Sequence, residues 1–344
     1  MKITVQNKNG ELAFDCGDRE TILYAGLRQG INLPFECATG TCGTCRARIA
    51  SGDIDVRWKE APGGARLKPE KGDILMCQAH ARSDCVLRVP SELVVSDNSA
   101  PGMQRGVIRG LRRLTKDVMH FDLHLSAPMR FRAGQFVVLE VSGIVGGRAY
   151  SMVNFDSEVG RLELVIKRKP GGSFGDWLFD TSAEEAEVEL FGPLGRATFR
   201  PDEDRNFVCI AGGSGIAGMM SILECATRAH YFRDHWAAVF FGVRTLADAF
   251  YLETLSRYAV ASHGSLDVTL ALSDEAVAAP LHAQYPILKL AHGMVHEVAA
   301  KGMAERDRNV IAYVAGPPIM VDSTLRSLIA GGVRIKDIRY DKFS

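Results

Sequence analysis

Apolar positions change their spacing twice along the chain, and the first stretch predicts a small mixed domain. Ile3 and Val5, and then Leu12 and Phe14, recur at every second position on either side of a polar turn, which predicts a β-hairpin. Thr21 then precedes an apolar helical segment that ends near Gly30, and residues 86–89 predict a closing strand. Two strands, a helix and further strands are typical of an α+β domain of the β-grasp type.

The later stretches predict an antiparallel barrel followed by a parallel sheet. Residues 96–102 are polar and predict a linker, after which strand patterns such as 136–141 and 162–167 are punctuated by glycine and proline. Beyond Arg205, uninterrupted apolar strands alternate with helical segments, which is typical of a parallel sheet covered on both faces. We therefore predict domains at 1–95, 103–203 and 204–344, with a linker at 96–102.

The composition agrees with several domains, because 344 residues exceed the usual size of a single one. Hydrophobic residues make up 47%, and 41 Lys and Arg balance 41 Asp and Glu, so the formal net charge is zero. This balance disfavours nucleic acid or an anionic membrane as a partner. No apolar run has the length of a membrane span and no signal peptide is seen, so we expect a cytoplasmic protein.

The strongest chemical signal is a group of four cysteines with the spacing C-x4-C-x2-C and a distant fourth. Plant-type 2Fe–2S proteins have this spacing, in which four thiolates hold two irons. Glycines and small residues between the cysteines allow the backbone to fold tightly and to point N–H groups at the sulfurs. A structural zinc site and free core thiols are the alternatives, and the wide first step disfavours both. The predicted cluster ligands are Cys37, Cys42, Cys45 and Cys77; Cys16, Cys85, Cys209 and Cys225 are predicted to be inert buried thiols.

These residues give the chain a resemblance to a known family. Residues 1–95 resemble a plant-type ferredoxin domain, and the remainder resembles the ferredoxin–NADP⁺ reductase superfamily. In this order the two resemble the reductase components of bacterial multicomponent oxygenases. The resemblance implies a β-grasp ferredoxin domain, an antiparallel β-barrel FAD domain and an α/β parallel-sheet nicotinamide domain. It also implies three cofactors: a 2Fe–2S cluster, FAD and NADH.

The flavin motif of this superfamily, Arg-x-Tyr-Ser, corresponds to Arg148, Ala149, Tyr150 and Ser151. The resemblance implies that Arg148 binds an FAD phosphate, that Tyr150 stacks on the flavin ring and that Ser151 lies near the reactive flavin nitrogen. A guanidinium suits a phosphate and a flat aromatic ring suits a flat cofactor. The alternative is a surface arginine beside a core tyrosine.

Two further segments are expected at the flavin. Relatives contact FAD through a strand and through a Gly-Gly-x-x-Ser turn whose helix N-terminus cradles the pyrophosphate. Here Gly175 stands where that serine is usual, so backbone N–H groups or Ser173 have to supply the contact. The expected residues are Val165, Ile166 and Lys167 on the strand, and Gly171, Gly172, Ser173, Phe174 and Gly175 in the turn.

Glycine turns after successive apolar strands predict the nicotinamide site, because glycine lets the backbone approach a pyrophosphate at a helix N-terminus. The chain departs from the family at Ala315, where cysteine is usual, and at Gly218, where proline is usual. Hydride transfer needs no protein nucleophile, so the loss of the cysteine at Ala315 does not argue against the reaction. The expected residues are Gly212, Gly213, Ser214 and Gly215, then Gly242, Val243 and Arg244, then Gly316, Pro317 and Pro318.

The resemblance implies an electron path from NADH through FAD and the cluster to a terminal oxygenase of the Rieske or diiron type. Phe343 is a candidate shield for the flavin, with a core-filling aromatic as the alternative, and it completes the expected catalytic set with Tyr150 and Ser151. A monomer is expected. A general reductase serving a separate ferredoxin or cytochrome, and a redox-sensing flavoprotein, are the alternative functions.

Replacing Cys42 by serine tests the cluster assignment. We expect Cys42→Ser to lose most of its iron and its rhombic EPR signal, because one missing thiolate destabilises the cluster. The flavin half should stay yellow and should still reduce ferricyanide with NADH. Metal analysis of the unmodified chain is the control, and zinc in place of iron would contradict the prediction.

Overall fold

The computed structural model describes residues 1–95, 100–180, 183–276 and 284–342. Within them the chain forms two compact units. The first comprises Met1–Gly106, Val137–Ala149 and Glu187–Leu194, and the second comprises Val107–Phe136, Tyr150–Ala186 and Gly195–Ser344. Among the described residues, no helix combines the length and the apolar character that crossing a membrane requires.

A mixed five-stranded sheet with the order β2-β1-β7-β3-β5 forms the amino-terminal part of the first unit. The predicted hairpin is present, with Ile3 opposite Phe14, and β1 pairs in parallel with β7. A separate antiparallel pair joins β4 to β6. The strands are β1 (Lys2–Asn7), β2 (Gly10–Asp15), β3 (Arg46–Ser51), β4 (Ile54–Val56), β5 (Asp73–Leu75), β6 (Ala79–Ala81) and β7 (Cys85–Arg88).

Helix α1 (Ile22–Arg28) packs on this sheet and begins where the sequence predicts. The Thr21 hydroxyl accepts a hydrogen bond from the Tyr24 N–H at 3.3 Å, which satisfies one of the free donors of the first turn. Six of its seven residues are buried, so the helix is held by packing on both its sheet-facing side and its flanks. The β-grasp prediction is confirmed.

The antiparallel barrel is built from a six-stranded sheet with the order β11-β10-β13-β8-β9-β12. Along β9 and β12, Phe121 lies opposite Leu164 and Leu123 opposite Leu162, and all four side chains are fully buried. An isolated bridge between Met152, which follows β11, and Leu164 connects the two ends of the strand order. The strands are β8 (Gly102–Arg113), β9 (Val118–Met129), β10 (Phe136–Glu140), β11 (Arg148–Ser151), β12 (Val159–Lys167) and β13 (Glu187–Leu194), with α2 (Ser173–Asp180) before β13.

The last sheet is six-stranded, with the order β17-β16-β15-β14-β18-β19, and its neighbouring strands all pair in parallel. Phe207 and Cys209 of β14 face one apolar layer, and Val208 and Ile210 face the other. The prediction of a sheet covered on both faces is therefore confirmed. Its elements are β14 (Phe207–Gly212), α3 (Ile216–Arg228), β15 (Ala237–Val243), α4 (Leu252–Ala261), β16 (Leu266–Leu272), β17 (Lys289–His292), α5 (Val295–Gly302), β18 (Ile311–Gly316), α6 (Pro318–Ala330) and β19 (Ile338–Lys342).

This strand order places a switch point between β14 and β18. Strands β15, β16 and β17 follow on one side of β14, and the chain then crosses to the other side to form β18 and β19. In open α/β sheets, ligands bind at the carboxyl ends of the strands beside such a point. The predicted domain limits remain predictions, since residues 96–99 of the proposed linker lie outside the described residues. Phe343 also lies outside them, and its role stays a prediction.

Candidate functional site

The four predicted ligand cysteines lie in the first unit, where Cys37, Cys42 and Cys45 share one loop and Cys77 approaches it. The Sγ atoms of Cys45 and Cys77 are 3.1 Å apart, although the two residues are separated by 32 positions. Cys37, Cys45 and Cys77 are buried, whereas Cys42 is exposed. One edge of the thiol group therefore reaches the surface, which an electron carrier that serves another protein requires.

Backbone N–H groups point at these sulfurs. Cys37 Sγ accepts from the N–H groups of Thr39 and Cys42, each at 3.4 Å, and Cys42 Sγ accepts from Thr44 at the same distance. Such donors stabilise negative charge on sulfur, so the loop fits an iron–sulfur cluster, whose ligands are thiolates.

Close backbone contacts explain the glycines of the loop. Gly40 and Gly43 have φ values of +90° and +81°, which glycine adopts readily. A Cβ on Gly43 would also lie 2.9 Å from the Gly63 carbonyl oxygen. The Gly63 N–H donates in turn to the Gly40 carbonyl at 2.9 Å. Sequence reasoning missed this covering segment; the run Pro62-Gly63-Gly64 was its signal.

The other four cysteines are buried, as predicted. Burial raises the pKa of Cys16 and of Cys225 to about 11. Burial also raises the pKa of Cys85 and, more strongly, that of Cys209. These groups are neutral thiols at physiological pH, and they lie apart from the cysteine loop in the fold.

The proposed flavin motif forms strand β11. In the first unit, Arg148 Nη1 donates to the carbonyls of Gly146 and Gly147 at 3.2 and 3.0 Å, and its guanidinium lies 5.7 Å from the Trp58 ring centre. In the second unit, the half-buried Tyr150 ring lies 5.4 Å from the ring of Phe174. Tyr150 thus packs against the start of α2, the helix that follows the predicted phosphate turn.

The remaining predicted flavin residues lie at the end of β12 and at the start of α2. Val165 and Ile166 are buried, and they pair with His120 and Met119 of β9. Lys167 is exposed and its Nζ is 3.3 Å from Asp117 Oδ2. A Cβ on Gly175 would lie 3.4 Å from Arg168 Cα, so this position has room for the small side chain that relatives carry.

The proposed nicotinamide turns lie at the carboxyl ends of β14, β15 and β18. Residues 212–215 and 316–318 follow the two strands that flank the switch point. A Cβ on Gly215 would lie 2.3 Å from the Ala315 carbonyl oxygen, so only glycine permits this approach. Helix α3 begins directly afterwards without a side-chain cap, and a helix N-terminus of this kind suits a phosphate.

The second unit brings the flavin strands and the nicotinamide turn together. A Cβ on Gly218 would lie 3.4 Å from Ser151 Cβ, an ordinary contact distance. Strand β12 also contacts the Gly213–Gly215 turn, and Val165 shares an apolar core with Ile216. Two cofactors bound by these motifs would therefore meet beside Ser151.

Asp248 is a polar feature of this edge that sequence reasoning missed. It follows the β15 turn and is buried, and its Oδ2 accepts from Thr245 N at 3.3 Å and lies 3.7 Å from Arg244 Nε. Within the described part of the chain its Oδ1 has no hydrogen-bond partner. These contacts lower the pKa of Asp248 despite its burial, so the carboxylate is charged.

Comparison with known proteins agrees with this division. The 2Fe-2S iron-sulfur cluster binding domain matches residues 3–82, the oxidoreductase FAD-binding domain residues 107–199, and the oxidoreductase NAD-binding domain residues 209–326. The ferredoxin–NAD(P)⁺ reductase CarAd of Metapseudomonas resinovorans is 33% identical over 97% of this chain and 98% of its own. The chain belongs to the family of oxygenase reductase components. The ferredoxin–NAD⁺ reductase component of the Xanthobacter autotrophicus alkene monooxygenase system is 34% identical over 97% and 99% of the two chains.

Solved structures of the family have the same fold. The ferredoxin reductase in carbazole 1,9a-dioxygenase has a TM-score of 0.85 and 30% identity, and the match covers 100% of this reductase and 99% of that chain. The Amycolatopsis cytochrome P450 reductase GcoB has a TM-score of 0.81 and 28% identity, over 99% and 98% of the two chains. This reductase therefore uses a 2Fe–2S cluster, FAD and a nicotinamide cofactor.

Adding a methyl group at Gly215 tests the close approach of the turn to β18. We expect Gly215→Ala to destabilise the reductase by about 1–3 kcal/mol, because the new Cβ meets rigid backbone. Thermal unfolding and the KM for NADH are the measurements. Gly218→Ala is the matched control, since its Cβ meets only ordinary contacts; equal effects of the two changes would contradict the prediction.

Removing the guanidinium of Arg148 tests its proposed role at the flavin phosphate. Arg148→Ala should weaken FAD binding by about 1.5–3 kcal/mol, the usual worth of a hydrogen bond to a charged group. Flavin retained after dilution and gel filtration measures the effect. Arg109→Ala, which removes an exposed arginine paired with Glu185, is the control. Full FAD occupancy in Arg148→Ala would show that the assignment is wrong.

Proposed function

We propose that this reductase carries electrons from NADH, through FAD and the 2Fe–2S cluster, to the terminal oxygenase of a multicomponent aromatic-ring or hydrocarbon oxygenase. The contact of Ser151 with Gly218 carries the proposal, because it puts the flavin strand against the nicotinamide turn in one compact unit. The converging cysteine loop supplies the outlet, with Cys42 at the surface.

Each part of the chain has a defined task in this path. The bound flavin supplies the step from a two-electron donor to single electrons. Arg148 binds the FAD phosphate and Tyr150 covers the ring, while the uncapped start of α3 binds the dinucleotide pyrophosphate. Ser151, buried beside Gly218, orients the reacting faces and excludes water between them.

The proposal also covers the partner, the oligomeric state and the cellular compartment of the reductase. The partner is a Rieske or diiron oxygenase, and the reductase acts as a monomer in the cytoplasm, where NADH is supplied and thiols stay reduced. A second candidate partner is a cytochrome, since the Amycolatopsis relative GcoB is a cytochrome P450 reductase. Rates of electron transfer to a Rieske oxygenase, to a diiron oxygenase and to a P450 as the competing acceptor separate the candidates.

The charge at the β15 turn predicts a preference for NADH. The charged carboxylate of Asp248 repels a 2′-phosphate at this turn, while Arg244 is drawn towards its Oδ2 and Lys116 lies 4.0 Å from its Oδ1. We expect kcat/KM to be higher for NADH than for NADPH. Asp248→Asn should reduce the ratio of kcat/KM for NADH to kcat/KM for NADPH by about fivefold or more, because a repulsion of about 1 kcal/mol between the carboxylate and the 2′-phosphate is lost.

Asp267→Asn is the control for this prediction. It makes the same charge change at the start of β16, at the opposite edge of the sheet, where Asp267 pairs with Lys289 at 2.7 Å. We expect it to leave the ratio unchanged. A preference of the unmodified reductase for NADPH would refute the assignment of NADH, and an unchanged ratio in Asp248→Asn would refute the role of this carboxylate.

A further inference from the structure

Residues 57–64, here called the bridge segment, lie along the cysteine loop. The Arg57 N–H donates to the carbonyl of Gln78, directly after Cys77, at 3.0 Å. A Cβ on Gly63 would lie 2.6 Å from the Gly43 nitrogen, so the segment touches the loop backbone without intervening side chains. One side of the bridge segment is therefore fixed by residues next to the predicted ligand cysteines in the chain.

The other side of the bridge segment meets the turn before the flavin motif. A Cβ on Gly146 would lie 3.3 Å from Trp58 Cε3, and the Arg148 guanidinium lies 5.7 Å from the Trp58 ring centre. Arg57 Nη1 lies 3.0 Å from Glu140 Oε2 on β10. All these residues belong to the first compact unit.

The contacts of Arg148 leave part of its guanidinium for a ligand. Nη1 donates to two carbonyls and one face of the group lies against Trp58. Within the described residues, Nε and Nη2 donate no hydrogen bond to the protein, and Arg148 has no carboxylate partner. An aromatic face orients a guanidinium without neutralising it, so the free donors keep their charge for a phosphate.

We propose that Trp58 is a positioning residue of the flavin site, and that the ferredoxin domain thereby contributes to FAD affinity. The proposal rests on the role assigned above to Arg148. The Trp58 ring holds the guanidinium in the orientation that FAD binding needs, so less conformational freedom is lost when the phosphate binds. By thermodynamic linkage, bound FAD should favour the Trp58–Arg148 contact by the same factor by which this contact strengthens FAD binding.

Titration of the full-length apoprotein with FAD, followed by flavin fluorescence, tests this role. We expect Trp58→Ala to raise the Kd for FAD about two- to fivefold, the range that a cation–π contact supplies. Trp58→Phe keeps an aromatic face and should bind FAD nearly as tightly as the unmodified chain. In an Arg148→Ala background, Trp58→Ala should have no further effect, because the residue acts through Arg148.

Trp236→Ala is the matched control. Trp236 lies 4.7 Å from the guanidinium of Arg306, so the variant removes a similar pair outside the flavin motif. Its Kd for FAD should equal that of the unmodified chain. Iron content and the visible spectrum of the cluster report whether each variant has kept its ferredoxin domain. If Trp58→Ala loses iron, Trp58→Leu replaces it, with side-chain bulk but no aromatic face.

Three results would overturn the proposal: equal effects of Trp58→Ala and Trp236→Ala, an undiminished effect in the Arg148→Ala background, or Trp58→Leu binding FAD as tightly as Trp58→Phe. Failure of the proposed function has a different signature, since the unmodified protein would then bind no FAD or would not oxidise NADH. The Kd comparison is independent of oxygenase turnover, so the two failures are distinguished.

Discussion

Close approach of backbone to backbone at the switch point of the parallel sheet is the constraint on which the rest of the site depends. Gly215 lies so near the Ala315 carbonyl that no side chain is tolerated there. This contact sets where α3 begins, and hence where its positive N-terminal end points. Gly218, one turn further on, then meets Ser151 of the flavin strand. The relative placement of the two proposed cofactor sites in this unit is thus set largely by backbone contacts, which do not depend on the side chain at Ala315.

Much of this arrangement could be predicted because local physical rules govern it. Val208 and Ile210 alternate with Phe207 and Cys209 between two buried layers, so β14 had to be continuously apolar. The cluster loop was predictable for a chemical reason, since four thiolates at this spacing match a compact two-iron centre. The glycine turns after the strands were also expected, and the structure places them at one edge of the sheet.

Features that depend on contacts between distant segments could not be predicted. Trp58 is a lone aromatic in a polar stretch, and no periodicity links it to Arg148. Gly63 belongs to a Pro-Gly-Gly run, and such runs are common in ordinary surface turns. Asp248 follows Thr245 as a helix-capping acid would, and it does complete such a cap. Only the fold shows that its other carboxylate oxygen is buried without a hydrogen-bond partner in the part of the chain that the structure describes.

The direction of β19 has a practical consequence for handling the protein. Because β19 runs parallel to β18, Lys342 lies beside Gly316, at the edge of the sheet that carries the nicotinamide turns. Any peptide fused after Lys342 therefore leaves the fold within reach of the dinucleotide. At the other end, the Met1 amino group donates to the Cys16 carbonyl at 2.9 Å, far along the chain from these turns. An affinity tag or fluorescent label placed before Met1 starts instead from this amino group and forfeits one hydrogen bond.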